Sequence, residues 1–546
     1  MKNPCPRRGM ATKSWEKYIK ILLKQQDIFW HGFCFLLGMK NCPSNFRPCI
    51  FAAAAALTLS GAAQASAETF HFSALEKRAG HLAREPYDVQ MPRIPAFLEH
   101  LNPAQYAEIQ DVDPYWSTSR GNFRVQFYLP GRFFPRPEKI SEIVDGRARL
   151  IPLRLQDFTF GSLHPQGLSK NLGYAGFRLL YPLDNPPHHN EFISFLGGTY
   201  FRAVGQGGIY GTSARGIGID TAQPSGEIFP YFRHVWLQKP APGKNGMTVY
   251  ALMDSSAVTG AYRFDIVPGK STTVHVRATI FLRKPVRVLE LAPLTSMFWH
   301  GQGRGVDAGD WHPAQHDSSE LVMANGNGEW ISRPLNNPLF TQTTTYGMDH
   351  PEGFGLVQQN RHFSAYQGIT TQYQRRTSVW VQPDGDWGKG QVRLVELPTN
   401  NPNMDNIVAF WVPAQAPRPR TAFHFSYTVR FFLDNARLVP LGHPQATFLG
   451  YDTHNPDIRT VVIDFRGGAL TRLPGEMPVA EHFTAANGAR VLSRKLEWDA
   501  EHHFWRVIAR VEPGKAPSNL RCYLSLHGQV LTDTWTYLLH PAQGGH

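Results

Sequence analysis

Alternation of apolar and polar positions dominates the chain beyond about residue 122. Residues 123–129 read Phe-Arg-Val-Gln-Phe-Tyr-Leu, and the same two-residue period returns at 249–253, 261–267 and 273–282. One side chain in two pointing inward is the pattern of a half-buried strand. Pro268-Gly-Lys-Ser separates the last two runs and predicts a hairpin. Further runs follow at 354–358, 378–382 and 390–397. Many short strands joined by brief turns predict a mainly β protein, built as a large antiparallel β-sandwich. Helical periodicity is confined to the N-terminal side. Residues 73–83 place Leu75, Ala79 and Leu82 on one face behind Ser73 as N-cap, and 103–110 opens with Pro103 in the first turn.

The clearest break is residues 413–421, where Pro413, Pro417 and Pro419 make a stiff extended linker. It divides a β-sandwich domain at 68–412 from a segment at 422–546. That segment alternates at 422–433, 461–465, 504–511 and 520–526, and predicts an immunoglobulin-like sandwich.

Composition supports this picture. The 546 residues include 48 Gly and 42 Pro, a turn-rich content that favours β structure over helical bundles. The net charge of +12 is another matter. Residues 50–63 form an apolar run too short to span a bilayer, followed by Ala65-Ser66-Ala67 and preceded by Met39-Lys40 and Arg47. This reads as a Sec signal peptide with Met39 as start and Glu68 as first mature residue; the rival reading is an uncleaved anchor. The Arg7-Arg8 pair lies too far upstream to act as a twin-Arg signal. Residues 1–67 hold nine of the 55 Lys/Arg and two of the 43 Asp/Glu, so the remainder carries only +5. That gives no warrant for nucleic-acid binding.

Four of the five cysteines, Cys5, Cys34, Cys42 and Cys49, also fall in the leader. Cys522 alone remains, which excludes an intramolecular disulfide and thiolate metal clusters in the mature chain. An exported, nearly cysteine-free chain suits the bacterial periplasm.

The richest polar stretch is Trp311 to Pro338. His312 and His316 are four apart with Asp317 beside them, but Pro313 argues against the helix that would bring them together as metal ligands. No Gly-x-Ser-x-Gly elbow supports a serine hydrolase; Tyr210-Gly-Thr-Ser-Ala-Arg-Gly only approaches it. The glycine-rich strings at 205–211 and 216–220 fail the phosphate-binding patterns. Carbohydrate chemistry needs aromatic faces, planar polar groups and two carboxyls. The stretch offers Asp317, Trp330, Arg333, Asn336 and Asn337; downstream lie Trp387 and Lys389, then Asp405 in an Asn-rich loop. Singly, each aromatic suits a core and each acid suits a turn, so the residues alone leave sugar binding and ordinary packing open.

Collinear strings carry a further signal. Residues 172–178, 195–204, 210–221, 295–298, 316–318, 326–338, 387–390 and 405–408 together resemble the osmoregulated periplasmic glucan biosynthesis proteins, the G members more than the D members. The resemblance implies a mutarotase-like sandwich with a cleft, followed by an immunoglobulin-like domain, and a role on β-1,2-linked glucan. It implies an inverting β-1,2-glucanase with Asp405 as acid, Asp317 as base and Tyr373 positioning substrate or water, without metal or cofactor. Tyr210 and Arg215 join the substrate-binding set through their matching string. One departure stands out: Pro402 occupies a position three residues before the acid that commonly carries Glu. The rival reading is a non-catalytic glucan-binding factor working with the membrane glucan synthase.

Overall fold

The computed structural model describes residues 69–89, 94–117, 121–184, 188–301, 310–435 and 438–541. The expected signal peptide lies outside the described residues. Two large sheets face each other. One has fifteen strands and runs from Val479–Ala485 at one edge to Arg147–Leu150 at the other; the second has ten and runs from Arg124–Tyr128 to Gln342–Asp349. The predicted hairpin pairs Val258–Val267 with Thr272–Leu282, antiparallel from Val258↔Leu282 to Val267↔Thr273. Its inward residues Val258, Phe264, Ile266, Val274 and Val276 join Phe177, Phe201, Leu294 and Trp411 of the opposing sheet in one apolar core. Two-residue periodicity therefore reports sidedness here: one face of each sheet is turned to the shared core.

The helix Phe72–Leu82 lies outside this sandwich. Leu75 and Ala79 pack on Trp236, Tyr250, Leu252 and Ala261 at the back of the fifteen-stranded sheet. Ser73 is not its cap: His71 holds that position, without a side-chain cap bond, and Ser73 sits within the first turn. The next helix from that pattern, Pro103–Glu108, has Pro103 at its start, and Asn102 and Gln105 form a reciprocal capping box.

The proline-rich segment does not mark the domain boundary. The strand Phe423–Phe432, expected to open the C-terminal domain, lies inside the large sheet between Thr272–Leu282 and Ser378–Pro383. The chain leaves that sheet only after Phe432. A stretch of prolines signals extended backbone, and here that backbone returns to the same sheet rather than leaving it.

The C-terminal unit has two layers. His443–Tyr451, Arg459–Arg466, Phe504–Glu512 and Arg490–Asp499 form a four-stranded sheet. Opposite stand Val479–Ala485, Ser518–Leu526 and Thr534–Leu539, with Val461, Ile463, Trp505, Val507, Cys522 and Trp535 between the layers. The second layer continues the fifteen-stranded sheet, because Thr534–Leu539 pairs in parallel with Trp330–Pro334.

Candidate active site

Alternation along the ten-stranded sheet assigns its two faces. Phe201 and Ala203 of Tyr200–Ala203 point to the core, so Tyr200 and Arg202 point away from it. Arg215 is paired with Tyr200 across the neighbouring strand and shares that outer face. Here a polar cluster gathers.

Both candidate acids are tied to one short segment. The Asp317 N–H donates to the Met297 carbonyl at 2.8 Å, and the Asn406 N–H donates to the carbonyl of the preceding residue, Ser296, at 3.1 Å. Asn406 directly follows Asp405. Its side chain accepts from the Phe298 N–H at 2.8 Å and donates to the carbonyls of Phe298 at 2.9 Å and Leu397 at 3.0 Å. Hydroxyls add a second tie: Ser296 Oγ lies 2.6 Å from Ser318 Oγ and accepts from Thr212 at 3.1 Å. Asp317 and Asn406, the neighbour of Asp405, thus hang from the successive residues Met297 and Ser296. Asp317 is 6% exposed and Asp405 is half-buried.

Arginines surround these carboxyls. Arg376 Nε lies 3.2 Å from Asp317 Oδ1, its guanidinium sits 5.2 Å from the Tyr373 ring centre, and Nη1 donates to the Tyr210 carbonyl. Gly211 permits this crowding, since a Cβ there would stand 3.0 Å from Arg376 Cβ and 3.5 Å from Asp317 Cβ. Arg202 stacks over Tyr210 at 4.0 Å. Burial drives its guanidinium well below the ordinary value, while Tyr210, Asp405 and Asp317 pull it back up and Arg376 adds to the depression. One buried cation therefore lies within electrostatic reach of both acids. Arg215 donates to Thr295 at 3.0 Å and to Glu227 at 2.6 Å, and stacks on Tyr200 at 4.5 Å. Burial raises the Tyr200 phenol, offset by Arg215 and reinforced by Glu227 and Asp405.

The expected residues divide accordingly. Tyr210, Arg215 and Tyr373 stand with the two aspartates; Tyr210 also donates to Glu191 at 2.9 Å. The other candidates of the Trp311–Pro338 stretch are otherwise employed. Arg333 is 1% exposed and pairs with fully buried Glu396 at 3.1 Å, leaving no surface for a sugar. The Asn336 N–H donates to Glu396 at 2.7 Å. Asn337 exchanges hydrogen bonds of 2.8 and 2.9 Å with Thr399, bracing the loop that leads to Asp405. Trp330 stacks on Trp380 at 5.6 Å in an apolar cluster with Val322, Phe432 and Leu438.

Trp387 and Lys389 lie at the wrong end. Their strand, Lys389–Glu396, pairs with Ile407–Pro413 so that Glu396 faces Ile407 beside the acid loop and Gly390 faces Pro413. Seven residues of strand put Lys389 roughly 23 Å from that loop. Trp387 packs on Trp411 and Tyr427, and Lys389 is 80% exposed beside Asp349. His316 stacks on Phe298 with ring centres 5.2 Å apart. Among the described residues no group of three His, Cys, Asp or Glu side chains has metal-site geometry.

Sequence reasoning missed Arg202, Arg376, Ser296 and Asn406 as parts of the site. Arg202, Ser296 and Asn406 fall inside the recurrent strings. Arg376 carried no signal, because nothing in Gln-Arg-Arg-Thr tells which arginine turns inward.

Residues 70–539 match the family model described as periplasmic glucan biosynthesis protein, MdoG, a span that takes in both sheets, the paired aspartates and the C-terminal unit. The chain belongs to this family of periplasmic glucan biosynthesis proteins.

Proposed function

We propose that the protein cleaves the β-1,2-linked backbone of periplasmic glucan as an inverting glycoside hydrolase. The observation that carries this reading is the attachment of Asp317 and Asn406, the neighbour of Asp405, to successive residues Met297 and Ser296, with Arg202 in reach of both carboxyls. Inversion needs two carboxyl groups on opposite sides of an anomeric carbon, with room for one water between. Asp405, half-buried at the end of a loop, supplies the proton to the departing glycosidic oxygen. Asp317 takes a proton from the water, whose oxygen bonds to the anomeric carbon as the glycosidic bond breaks. Proton count balances: Asp405 loses one and Asp317 gains one, and solvent exchange restores both. Arg376, 3.2 Å from Asp317 Oδ1, orients the carboxylate for that acceptance. Trp311, 69% exposed and stacked on His312, offers an aromatic face six residues before the base in sequence.

Purified protein mixed with linear β-1,2-glucan tests the reading directly. New reducing ends should form as the α-anomer, read by proton NMR before mutarotation, and Asp405→Asn should abolish them. Undiminished turnover in that variant would falsify the assignment.

A second reading has one observation in its favour. Pro402 sits in the turn before Asp405, where it offers neither a carboxyl nor an N–H. A chain that binds glucan for the membrane synthase without cutting it would need neither. Binding without any cleavage at high protein concentration would select this alternative.

A further inference from the structure

One pair of apolar side chains stands open to water at the acid end of the ten-stranded sheet, and hydrolysis as described gives it no task. Among the described residues Phe340 is the most exposed large apolar side chain, at 81%, and its neighbour Leu339 is 69% exposed. Single exposed apolar residues are ordinary; an adjacent pair held out on a fixed loop is a contact surface in want of a partner. The loop is fixed at both ends. Before the pair, the Asn336 N–H donates to fully buried Glu396 at 2.7 Å, Asn337 exchanges bonds of 2.8 and 2.9 Å with Thr399, and Pro338 is buried. After it, buried Gln342 donates to Glu396 at 3.0 Å, and its carbonyl oxygen lies 2.7 Å from His540 Nε2. Only residues 339–341 are exposed between these clamps.

Strand register places the pair beside the acid. Gln342 stands opposite Glu396, Glu396 opposite Ile407, and Ile407 opposite Ser296, in one row across the sheet. The strands Gln342–Asp349 and Ile407–Pro413 are both antiparallel to Lys389–Glu396 between them, so both start from the same end of the sheet. Phe340 lies two residues before the first and Asp405 two residues before the second. Two strand spacings separate them across the sheet, roughly 10 Å. The loop between carries amides: Asn400 is exposed, and Asn401 and Asn403 are half-buried. An apolar face beside planar polar groups suits a sugar ring, whose C–H face packs on the first while its hydroxyls bond the second. A glucan cut at Asp405 must also continue past that residue, because the acid protonates the oxygen of the departing sugar. A chain running on along this end of the sheet meets the amides and then Phe340.

We propose that Leu339 and Phe340 form a platform for the departing side of the glucan, holding sugar units beyond the one whose oxygen Asp405 protonates. This rests on the glucan reading above and adds a dependence on chain length to it. A short oligosaccharide that fills only the places at the two aspartates gains nothing from the platform. A long one does.

The test uses the full chain and linear β-1,2-gluco-oligosaccharides of increasing length. Affinity is measured by calorimetry on protein carrying Asp405→Asn, and turnover on protein with Asp405 intact. Phe340→Ala should weaken binding of the longest chains about tenfold, the loss of one apolar contact, and leave the shortest chain that binds unchanged. Phe340→Trp keeps a broad ring and should keep the affinity. Tyr451→Ala, which removes a 70% exposed ring from the C-terminal unit, should change neither. Unchanged affinity of Phe340→Ala for the longest chains, or an equal loss at every length, overturns the proposal and leaves the glucan reading standing. So does a loss of self-association in Phe340→Ala, seen by sedimentation with glucan affinity unchanged, which would give the pair to a second copy of the chain. Failure of the protein with Phe340 intact to bind any oligosaccharide overturns the proposal together with the glucan reading. A length-dependent loss without turnover in any protein supports the platform and removes the hydrolase reading alone.

Discussion

Arg376 holds Asp317 in a shielded ion pair of 3.2 Å and lays the same guanidinium over the ring of Tyr373. Removing the cation leaves a carboxylate in a pocket with side-chain exposure of only 8%. Arg376→Met should therefore cost about 3 kcal/mol of stability, and pairing it with Asp317→Asn should recover part of that loss. Urea unfolding of the three proteins reads both effects. Equal destabilisation in the single and double variants would show that the ion pair is not what Arg376 supplies.

In the proposed hydrolysis the two aspartates differ from the rest of the cluster in kind. Asp405→Asn and Asp317→Asn should each lower turnover by about 10²–10⁴-fold, the range of a lost general acid or base; the unfolding midpoint should change little in Asp405→Asn and fall in Asp317→Asn, which leaves the Arg376 cation without its carboxylate. Azide offers a discriminating readout. Restoring turnover in one variant but not the other would identify which carboxyl delivers the proton and which receives it.

Buried Glu396 accepts from Arg333 Nη2, the Asn336 N–H and the Gln342 amide at 3.1, 2.7 and 3.0 Å. Glu396→Ala strands the Arg333 cation and should cost about 3–5 kcal/mol. Because Glu396 ends the strand that feeds the Asp405 loop, calorimetric stability should fall before glucan affinity does. Loss of affinity with unchanged stability would return Arg333 to the sugar-binding set.

Lys389→Ala should leave turnover and affinity unchanged, since the ammonium is 80% exposed and lies at the far end of its strand. Trp387→Ala should instead destabilise the sandwich through lost contact with Trp411 and Tyr427, by about 3–5 kcal/mol. A raised KM in Lys389→Ala would show that glucan reaches across the sheet.

His443 predicts a pH response. Its Nδ1 lies 2.6 Å from Asp533 and its Nε2 2.9 Å from Glu320, so both ring nitrogens face carboxylates. Burial disfavours the charged ring, but Glu320 and Asp533 together raise its pKa well above 6.5. A folded-state pKa above the unfolded one means that the stabilisation is complete below about 6.5 and fades as pH climbs through the folded value. Alkaline titration should thus lower the unfolding midpoint of the native protein and leave His443→Gln flatter over the same range.

Alternation made the sheets legible because a strand with one face on a core must repeat every two residues, as Val258–Val267 does. It could not reveal which sheet a strand joins. Phe423–Phe432 has the same alternation wherever it pairs, and the prolines before it suggested a departure that the chain does not make. At the site, Asp405 and Asp317 were readable through recurrent strings, whereas Arg376 was not. Direction is the missing quantity: Arg333 and Arg376 look alike in sequence, and only the fold shows that one faces Glu396 and the other Asp317.

The parallel pairing of Trp330–Pro334 with Thr534–Leu539 has a mechanical consequence. A unit joined to its neighbour by a shared ladder, Ile331 opposite Thr534 and Ser332 opposite Trp535, would have to break that ladder to swing as a lid. Nor can it be cut away cleanly: a truncation after Leu433 would bare the edge of Trp330–Pro334, an invitation to strand-on-strand aggregation. Glucan must enter and leave a frame that does not open as two halves, so any gating falls to the loops around Asp317 and Asp405.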